Sequence, residues 1–264
     1  MKFSMYQMDI HPGDPEANRQ KVAAWVEAEV KRNNPDTIVL PEMWTTAYTL
    51  SELDGIADDE REPTESFLKE LAIKHNVNMI GGSVANKMNG KVYNTALVID
   101  RKGNLVYHYD KVHLVPMLDE PAYLSGGESP AEVFELDGVK LGVVICYDLR
   151  FPELIRWLAL EGAQALVIVA EWPLARVDHW RTLQRARAIE NQMYVLTCNR
   201  IGAYDGVEFA GTSMVTDPWG DVLVEGSQGK EETLSISLDL EKVKQVREDV
   251  PIFTSRVPDL YRYS

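Results

Sequence analysis

Cysteine is scarce in this chain. Only Cys146 and Cys198 occur in 264 residues, each inside an apolar run. A disulfide framework is therefore not expected, and a reducing cytoplasm is. Metal-ligand spacing is missing as well: the five histidines are scattered and neither cysteine has a nearby partner, so neither a metal nor a cofactor is expected. There is no Walker-type glycine loop. No apolar run approaches membrane-spanning length, so no membrane partner is expected. Met1 to Asp9 contains no long apolar core and no small-residue cleavage site, so no secretory leader is expected. Positive charge is in deficit, with 27 Lys and Arg against 41 Asp and Glu. The net charge of -14 opposes nonspecific nucleic-acid binding but not a local basic pocket. The length permits one large domain or two small ones. Without an internal repeat, a low-complexity segment or a linker, one domain spanning 1-264 is expected.

What is present begins with Lys140 to Leu154. Leu141 to Ile145 reads as a strand buried on both faces. The run breaks at Cys146-Tyr147-Asp148, and Pro152 fits a first helical turn. Cys146 is thus expected where a strand ends and a helix begins. Backbone N–H groups and a helix dipole there would ease ionisation of a thiol and receive an oxyanion. A buried structural cysteine is the other reading.

Strand and helix patterns interleave along the chain. Residues 2–10 alternate as a first strand. Asp14 and Pro15 open a helix with Val22, Trp25, Val26 and Val30 on its apolar face, and Asn33-Asn34-Pro35 stops it. Thr37–Leu40 is a short strand ending at Pro41-Glu42. Residues 54–63 read as a polar loop, and Thr64 or Ser66 as the cap of a helix to about Lys74. Strands follow at 77–83, 92–99 and 105–109. Residues 115–130 read as a long irregular loop. Strands at 131–136 and 140–145 flank Asp137-Gly138. A helix from Phe151, a strand at 165–170 ending in Glu171-Trp172-Pro173, and a helix over 178–191 come next. Trp180, Leu183, Ala186 and Ile189 form that helix's expected face. Strands at 194–198, 211–216 and 234–238, a helix near 240–248 and a tail from Pro251 to Tyr263 complete the chain. This is α/β order with mixed strand direction, in one sheet or in two packed together.

Glu42, Lys111 and Cys146 each follow a strand. Ligands in α/β folds bind at the carboxyl ends of strands, so the three could meet in one cavity. A thiol can attack a carbonyl carbon. A glutamate can take the thiol proton, pass it to a leaving amine and then activate water. A lysine can hold the oxyanion and favour the thiolate. Together they hydrolyse an amide or a related carbon–nitrogen bond. Each residue also has a plain reading: a loop carboxylate, a solvated lysine, a core thiol. Trp44, Tyr147 and Trp172 are either core aromatics or pocket walls. Cys146 with His113 or His179 is an alternative hydrolytic pair.

Pro41-Glu42-Met43-Trp44, Tyr109-Asp110-Lys111-Val112-His113-Leu114 and Gly142 to Glu153 resemble the nitrilase superfamily of carbon–nitrogen hydrolases. So do Trp172-Pro173, Arg187 to Asn191, Cys198 to Gly202, Gly211-Thr212-Ser213 and Asp217-Pro218-Trp219-Gly220, in the same order. The resemblance implies a four-layer α-β-β-α sandwich with mixed sheets. It implies Glu42 as general base and acid, Lys111 as oxyanion stabiliser, Cys146 as nucleophile and the Tyr147 N–H as a second oxyanion donor. A further glutamate that orients the lysine would be Glu120, with Asp119 and Glu128 as neighbouring competitors. It also implies a homodimer or higher homo-oligomer. The short chain and Cys-Tyr-Asp-Leu-Arg-Phe-Pro-Glu look most like the ω-amidase branch, whose substrates are terminal amides of 2-oxo acids such as 2-oxoglutaramate and 2-oxosuccinamate. The expected partners are thus a small amide and water. Arg150 and Arg176 are candidates for the substrate carboxylate, although Arg150 could instead pair with Glu153 or Asp148. Trp172 and Tyr123 are candidates for shaping the pocket. Other amidases, an N-carbamoyl amidase, a nitrilase and a silent dimeric scaffold are the alternatives.

Overall fold

Two β-sheets lie face to face, each with a pair of helices on its outer side. The computed structural model describes residues 1–262, so Tyr263 at the end of the expected tail lies outside them. In β1 (Lys2–Gln7), Phe3 and Met5 point between the sheets and Tyr6 toward the helices. Both faces are buried, so the alternation separates two cores rather than core from solvent. Asp14 caps α1 (Pro15–Asn33) by accepting the Ala17 N–H at 3.0 Å, and Asn34 ends it in a left-handed turn. β2 (Thr37–Val39) follows.

Residues 54–63 are not simply a polar loop. They contain the end of α2 (Leu53–Ile56) and the short β3 (Asp58–Asp59), because Leu53, Leu50 and Ile56 bury against Met43, Ala85 and Leu124. Neither Thr64 nor Ser66 caps α3 (Thr64–His75): Thr64 is already helical and the Ser66 hydroxyl bonds to Glu62. β4 (Asn78–Met88), β5 (Lys91–Ile99) and β6 (Leu105–Asp110) form an antiparallel meander. A 3-10 turn (Pro116–Leu118) and α4 (Glu120–Tyr123) order part of the segment expected to be irregular. β7 (Phe134–Leu136) and β8 (Val139–Ile145) make a hairpin around Asp137-Gly138.

α5 (Pro152–Leu160), β9 (Ala165–Ala170), α6 (Val177–Asn191) and β10 (Tyr194–Asn199) continue the chain. The small hairpin of β11 (Ala203–Tyr204) and β12 (Val207–Glu208) was not anticipated. β13 (Met214–Thr216) is shorter than the expected 211–216, and β14 (Val222–Glu225) is additional. β15 (Glu232–Ser237) and α7 (Glu241–Asp249) end the regular structure. The inward face of α6 is Trp180, Gln184, Arg187 and Ala188, whereas Ile189 is 50% exposed. Polar anchors set that rotation: the Trp180 indole donates to Thr212 O and the Arg187 guanidinium to Leu149 O.

The first sheet runs β15-β1-β2-β4-β5-β6, with β3 alongside β4; the second runs β14-β13-β10-β9-β8-β7. β1, β2 and β4 are parallel, as are β8, β9 and β10. Parallel neighbours need crossovers, which α1, α3, α5 and α6 supply. Val22, Val26, Leu68 and Leu71 pack α1 and α3 on the first sheet. Phe3, Met5, Ile80 and Val98 meet Val143, Val167 and Leu196 between the sheets. The result is the four-layer sandwich.

One glycine ties this scaffold to the site. Gly82 interrupts the β4 ladder at φ +63°, and a Cβ there would fall 2.0 Å from the carbonyl oxygen of Pro41, next to Glu42. Gly82→Ala is expected to destabilise the fold by at least about 1 kcal/mol and to lower turnover of the protein that remains folded. Urea unfolding with a parallel activity assay checks both effects, and unchanged values would disprove this packing constraint.

Candidate active site

Glu42 lies beyond the end of β2, Lys111 directly follows β6, and Cys146 directly follows β8. The fold brings all three together. Lys111 Nζ lies 2.9 Å from Glu42 Oε1 and 2.8 Å from Glu120 Oε1, and all three side chains are fully buried. The charged groups acting on the Cys146 thiol are these same Glu42, Lys111 and Glu120. Glu120 heads α4, and its second oxygen accepts the Val115 N–H at 2.8 Å, which folds the loop over Lys111. Of its competitors, Glu128 is 79% exposed and paired with Lys91, and Asp119 is an exposed turn residue.

Four donors converge on Glu42. Oε1 receives Asn94 Nδ2 at 2.8 Å, Lys111 Nζ and the Tyr48 hydroxyl at 2.7 Å, and Oε2 receives the Glu171 N–H at 2.7 Å. Tyr48 also lies within hydrogen-bonding distance of Glu120. A phenol has one proton, so it serves one carboxylate at a time. Lys111 has three N–H donors, and Glu42, Glu120 and Tyr48 Oη (3.1 Å) engage all of them. Burial works against the ammonium, but Glu42 and Glu120 outweigh it and hold Lys111 above the ordinary lysine range.

The thiol departs from expectation. Burial, reinforced by Glu42 and opposed by Lys111, pushes Cys146 well above the usual thiol range. No helix starts at Cys146. A 3-10 turn (Cys146–Arg150) intervenes before Pro152, and Cys146 itself has φ +44°. Burial thus favours the neutral thiol beside a carboxylate, an arrangement suited to moving the proton as the bond to carbon forms.

Asp148 braces this turn. It accepts the Ile145 N–H at 3.1 Å, the Tyr109 hydroxyl at 2.9 Å, the His113 N–H at 3.1 Å, and lies 2.8 Å from His113 Nδ1. His113 is thus engaged by Asp148 and stacked on Phe151, while His179 is exposed and lies beside Arg150. This arrangement gives a cysteine–histidine pair no support.

Cys146 opens onto a cavity of about 560 Å³, whose wall includes Tyr147, Arg150, Glu171, Trp172 and Arg176. Glu42, Lys111 and Glu120 lie behind that wall. Arg150 pairs with neither Asp148 nor Glu153. Its guanidinium lies 4.6 Å from the Trp172 ring centre and 5.7 Å from that of Tyr147, and Nη1 donates to His179 Nδ1 at 3.4 Å. Its buried Nε has no partner among the described residues. Arg176 is exposed, with Nη1 on the Ala175 carbonyl. Tyr123 is 44% exposed and lines, together with Tyr48, an adjoining cavity of about 240 Å³ that shares Leu118 and Val207 with the first.

Tyr48, Asn94, Asp148 and Glu171 were not singled out from sequence. Two signals were available. Asn94 is a polar residue inside an apolar strand, and Glu171 ends a buried strand just as Glu42 does. Nothing local marks Tyr48.

The profile of the carbon-nitrogen hydrolase family matches residues 2–248. The chain is 47% identical to the 2-oxoglutaramate amidase of Bacillus subtilis over 260 residues, which is 98% of both chains. It is 33% identical to the Omega-amidase NIT3 of Saccharomyces cerevisiae, over 99% of this chain and 94% of that one. The crystal structure of Saccharomyces cerevisiae Nit3, a member of branch 10 of the nitrilase superfamily, superimposes with a TM-score of 0.88, covering 96% of this chain and 94% of that chain.

Two predictions follow from the geometry. Tyr48→Phe leaves Glu42 and Glu120 with Lys111 alone between them, and kcat is expected to fall about tenfold with KM little altered. Steady-state kinetics tests this, and an increase in kcat would mean that Tyr48 merely competes for Lys111. Alkylation of the free enzyme by iodoacetamide should be slow at pH 7 and accelerate with rising pH, since deprotonation of a raised thiol lies above neutrality. A rate already at its plateau at pH 7 would contradict the protonated thiol.

Proposed function

The chain belongs to the carbon-nitrogen hydrolase family, and from that premise we propose that it is a thiol amidase that hydrolyses the terminal amide of small 2-oxo acid ω-amides to a carboxylate and ammonia. The carrying observation is the buried Glu42–Lys111–Glu120 cluster behind Cys146, in a cavity whose wall also holds Arg150. The similarity to a 2-oxoglutaramate amidase and to an ω-amidase supports the substrate class.

In the proposed reaction the thiol proton passes to Glu42 as Cys146 Sγ attacks the amide carbon. Negative charge collects on the former carbonyl oxygen. Lys111 and the Tyr147 N–H receive it, for which one Lys111 N–H must leave its present partner. The Tyr48 contact is the longest of the three and is the one to yield. The carbon–nitrogen bond breaks as Glu42 returns the proton to nitrogen, and ammonia leaves a thioester on Cys146. Water then enters and gives a proton to Glu42 as its oxygen adds to the thioester carbon. The carbon–sulfur bond breaks as Glu42 passes that proton to sulfur, which restores both the carboxylate and the thiol as the acid departs. Glu120 acts by orienting Lys111.

Arg150 suits the remote carboxylate of such a substrate, because its guanidinium rests on aromatic faces and its Nε is unsatisfied. Arg176, at the open side of the cavity, is a second contact, and Trp172 forms the floor between them. One domain over 1-264 is supported by the span of the family profile and by the core shared between the sheets. A homodimer or higher homo-oligomer is supported by exposed Trp157, Leu160, Ile189 and Trp219 on and around α5 and α6. A cytoplasmic location is supported by the two free cysteines. Among the described residues no helix is long and apolar enough to cross a membrane.

A panel of ω-amides, nitriles and carbamoyl compounds, scored for ammonia, tests the activity. Release from 2-oxoglutaramate is expected in the wild type and absent in Cys146→Ala. Arg150→Met is expected to raise KM for 2-oxoglutaramate about ten- to a hundredfold and to affect an uncharged amide less. Preferential turnover of nitriles or carbamoyl compounds would overturn the assignment.

A further inference from the structure

Glu171 is a fully buried carboxyl in the cavity wall for which the reaction above has no use. Its backbone N–H holds Glu42, so it stands beside the reacting end. Its neighbour Trp172 lies under Arg150, so it also adjoins the cationic end. Oε2 accepts Arg200 Nη1 at 2.9 Å. Oε1 is buried and has no hydrogen-bond partner among the described residues. A buried carboxyl oxygen without a partner, on a ligand cavity, calls for an explanation.

Counting charges supplies one. The groups facing Glu171 are Arg200 beyond β10, Glu42 beyond β2 and Lys111 beyond β6, with Cys146, Arg150, Arg176 and the exposed Glu208 along the same wall. Asp9, which is half exposed, shares Arg200. The buried carboxyls Glu42, Glu120 and Glu171 outnumber the buried cations Lys111 and Arg200. A proton on one carboxyl relieves that excess. Burial, aided by Glu42 and opposed by Arg200, pushes Glu171 up to about 8. Arg200 donates to Oε2, so a proton belongs on Oε1, the oxygen left without a partner on this residue of the cavity wall. A buried neutral carboxyl then serves as a hydrogen-bond donor.

We propose that Glu171 is a specificity-determining residue whose Oε1–H donates to the 2-oxo oxygen of the bound ω-amide, an assignment that rests on the 2-oxo acid reading of the site. The oxo group lies along the chain between the amide and the carboxylate, as Glu171 lies between Cys146 and Arg150. An ionised Glu171 would instead repel the substrate anion.

The test uses full-length Cys146→Ala protein with 2-oxoglutaramate and with glutaramate, the same chain without the oxo group. Calorimetric titration at pH 7 is expected to give about tenfold tighter binding of the oxo compound. The donor exists below about pH 8 and is lost above it, so the preference should shrink at pH 9. Glu171→Gln in the same background offers its carbonyl to Arg200 and its NH2 to the cavity. The preference should then persist at both pH values, with thermal melts confirming folding. Equal binding of the two compounds at pH 7, a preference in the Glu171 protein that ignores pH, or its loss in Glu171→Gln would each overturn the proposal alone. Binding of neither compound would overturn it together with the 2-oxo acid reading.

Discussion

A lysine ammonium with no access to solvent governs the architecture of this site. Removing a charge from water is expensive unless partners surround it. Lys111 has three, two carboxylates and a phenol, and these reach it from two separate stretches of chain. Glu42 comes from the end of β2, Tyr48 from the loop after it, and Glu120 from a loop that folds back through its bond to the Val115 N–H. The requirement to neutralise one cation thus organises about eighty residues of the first sheet and its loops. It also explains the thiol. Two carboxylates around one ammonium leave little net positive field for Cys146, and burial then keeps its proton in place. Such a site favours a concerted transfer to Glu42 over a standing thiolate.

The second sheet supplies what must not move. β8 and β9 are parallel, fully apolar at their centres and covered by α5 and α6, and Cys146 and Glu171 leave their ends directly. The strain sits just beyond the strands. Cys146 at φ +44° and Met43 at φ +44° are non-glycine residues in a left-handed turn. Each is locked by buried polar contacts: Asp148 takes up the Ile145 N–H before Cys146, and Ser83 Oγ receives the Met43 N–H at 3.0 Å. Rigid strands set positions, and short strained turns set side-chain directions.

How far the sequence could be read depends on whether a feature is local. The buried strands, the Asp14 cap and the strand-end placement of Glu42, Lys111 and Cys146 all follow from apolar runs and punctuation within a few residues. Glu120 needed the family resemblance, since a carboxylate in a loop looks solvated until Lys111 is known to be buried beneath it. The place of Tyr123 beside Tyr48 was not legible because α4 reads as irregular loop. The α6 face was misjudged because only apolar side chains were used to set it, whereas a guanidinium such as that of Arg187 is buried when a carbonyl such as Leu149 O awaits it. Tyr48 was invisible because its role exists only in three dimensions.

For an acidic protein the proposed anionic substrate poses a contradiction, and the cavity would resolve it in two ways. The first is segregation. Negative charge on the outer surface is screened beyond roughly 8–10 Å by physiological salt, while the cavity wall, which also carries Glu171 and Glu208, presents Arg150 and Arg176 with no ion-pair partner among the described residues. The second is internal balance. Among the fully buried Glu42, Glu120, Glu171, Lys111 and Arg200, carboxyl groups outnumber cations. Burial favours the neutral form of Glu171. Its shared geometry with Glu42, through one backbone N–H, means that any change of charge on either is felt by the other. In the proposed reaction, substrate charge, Glu171 and Glu42 would therefore form a single electrostatic unit, in which recognition of the distant end of the molecule and chemistry at the amide could not be tuned independently.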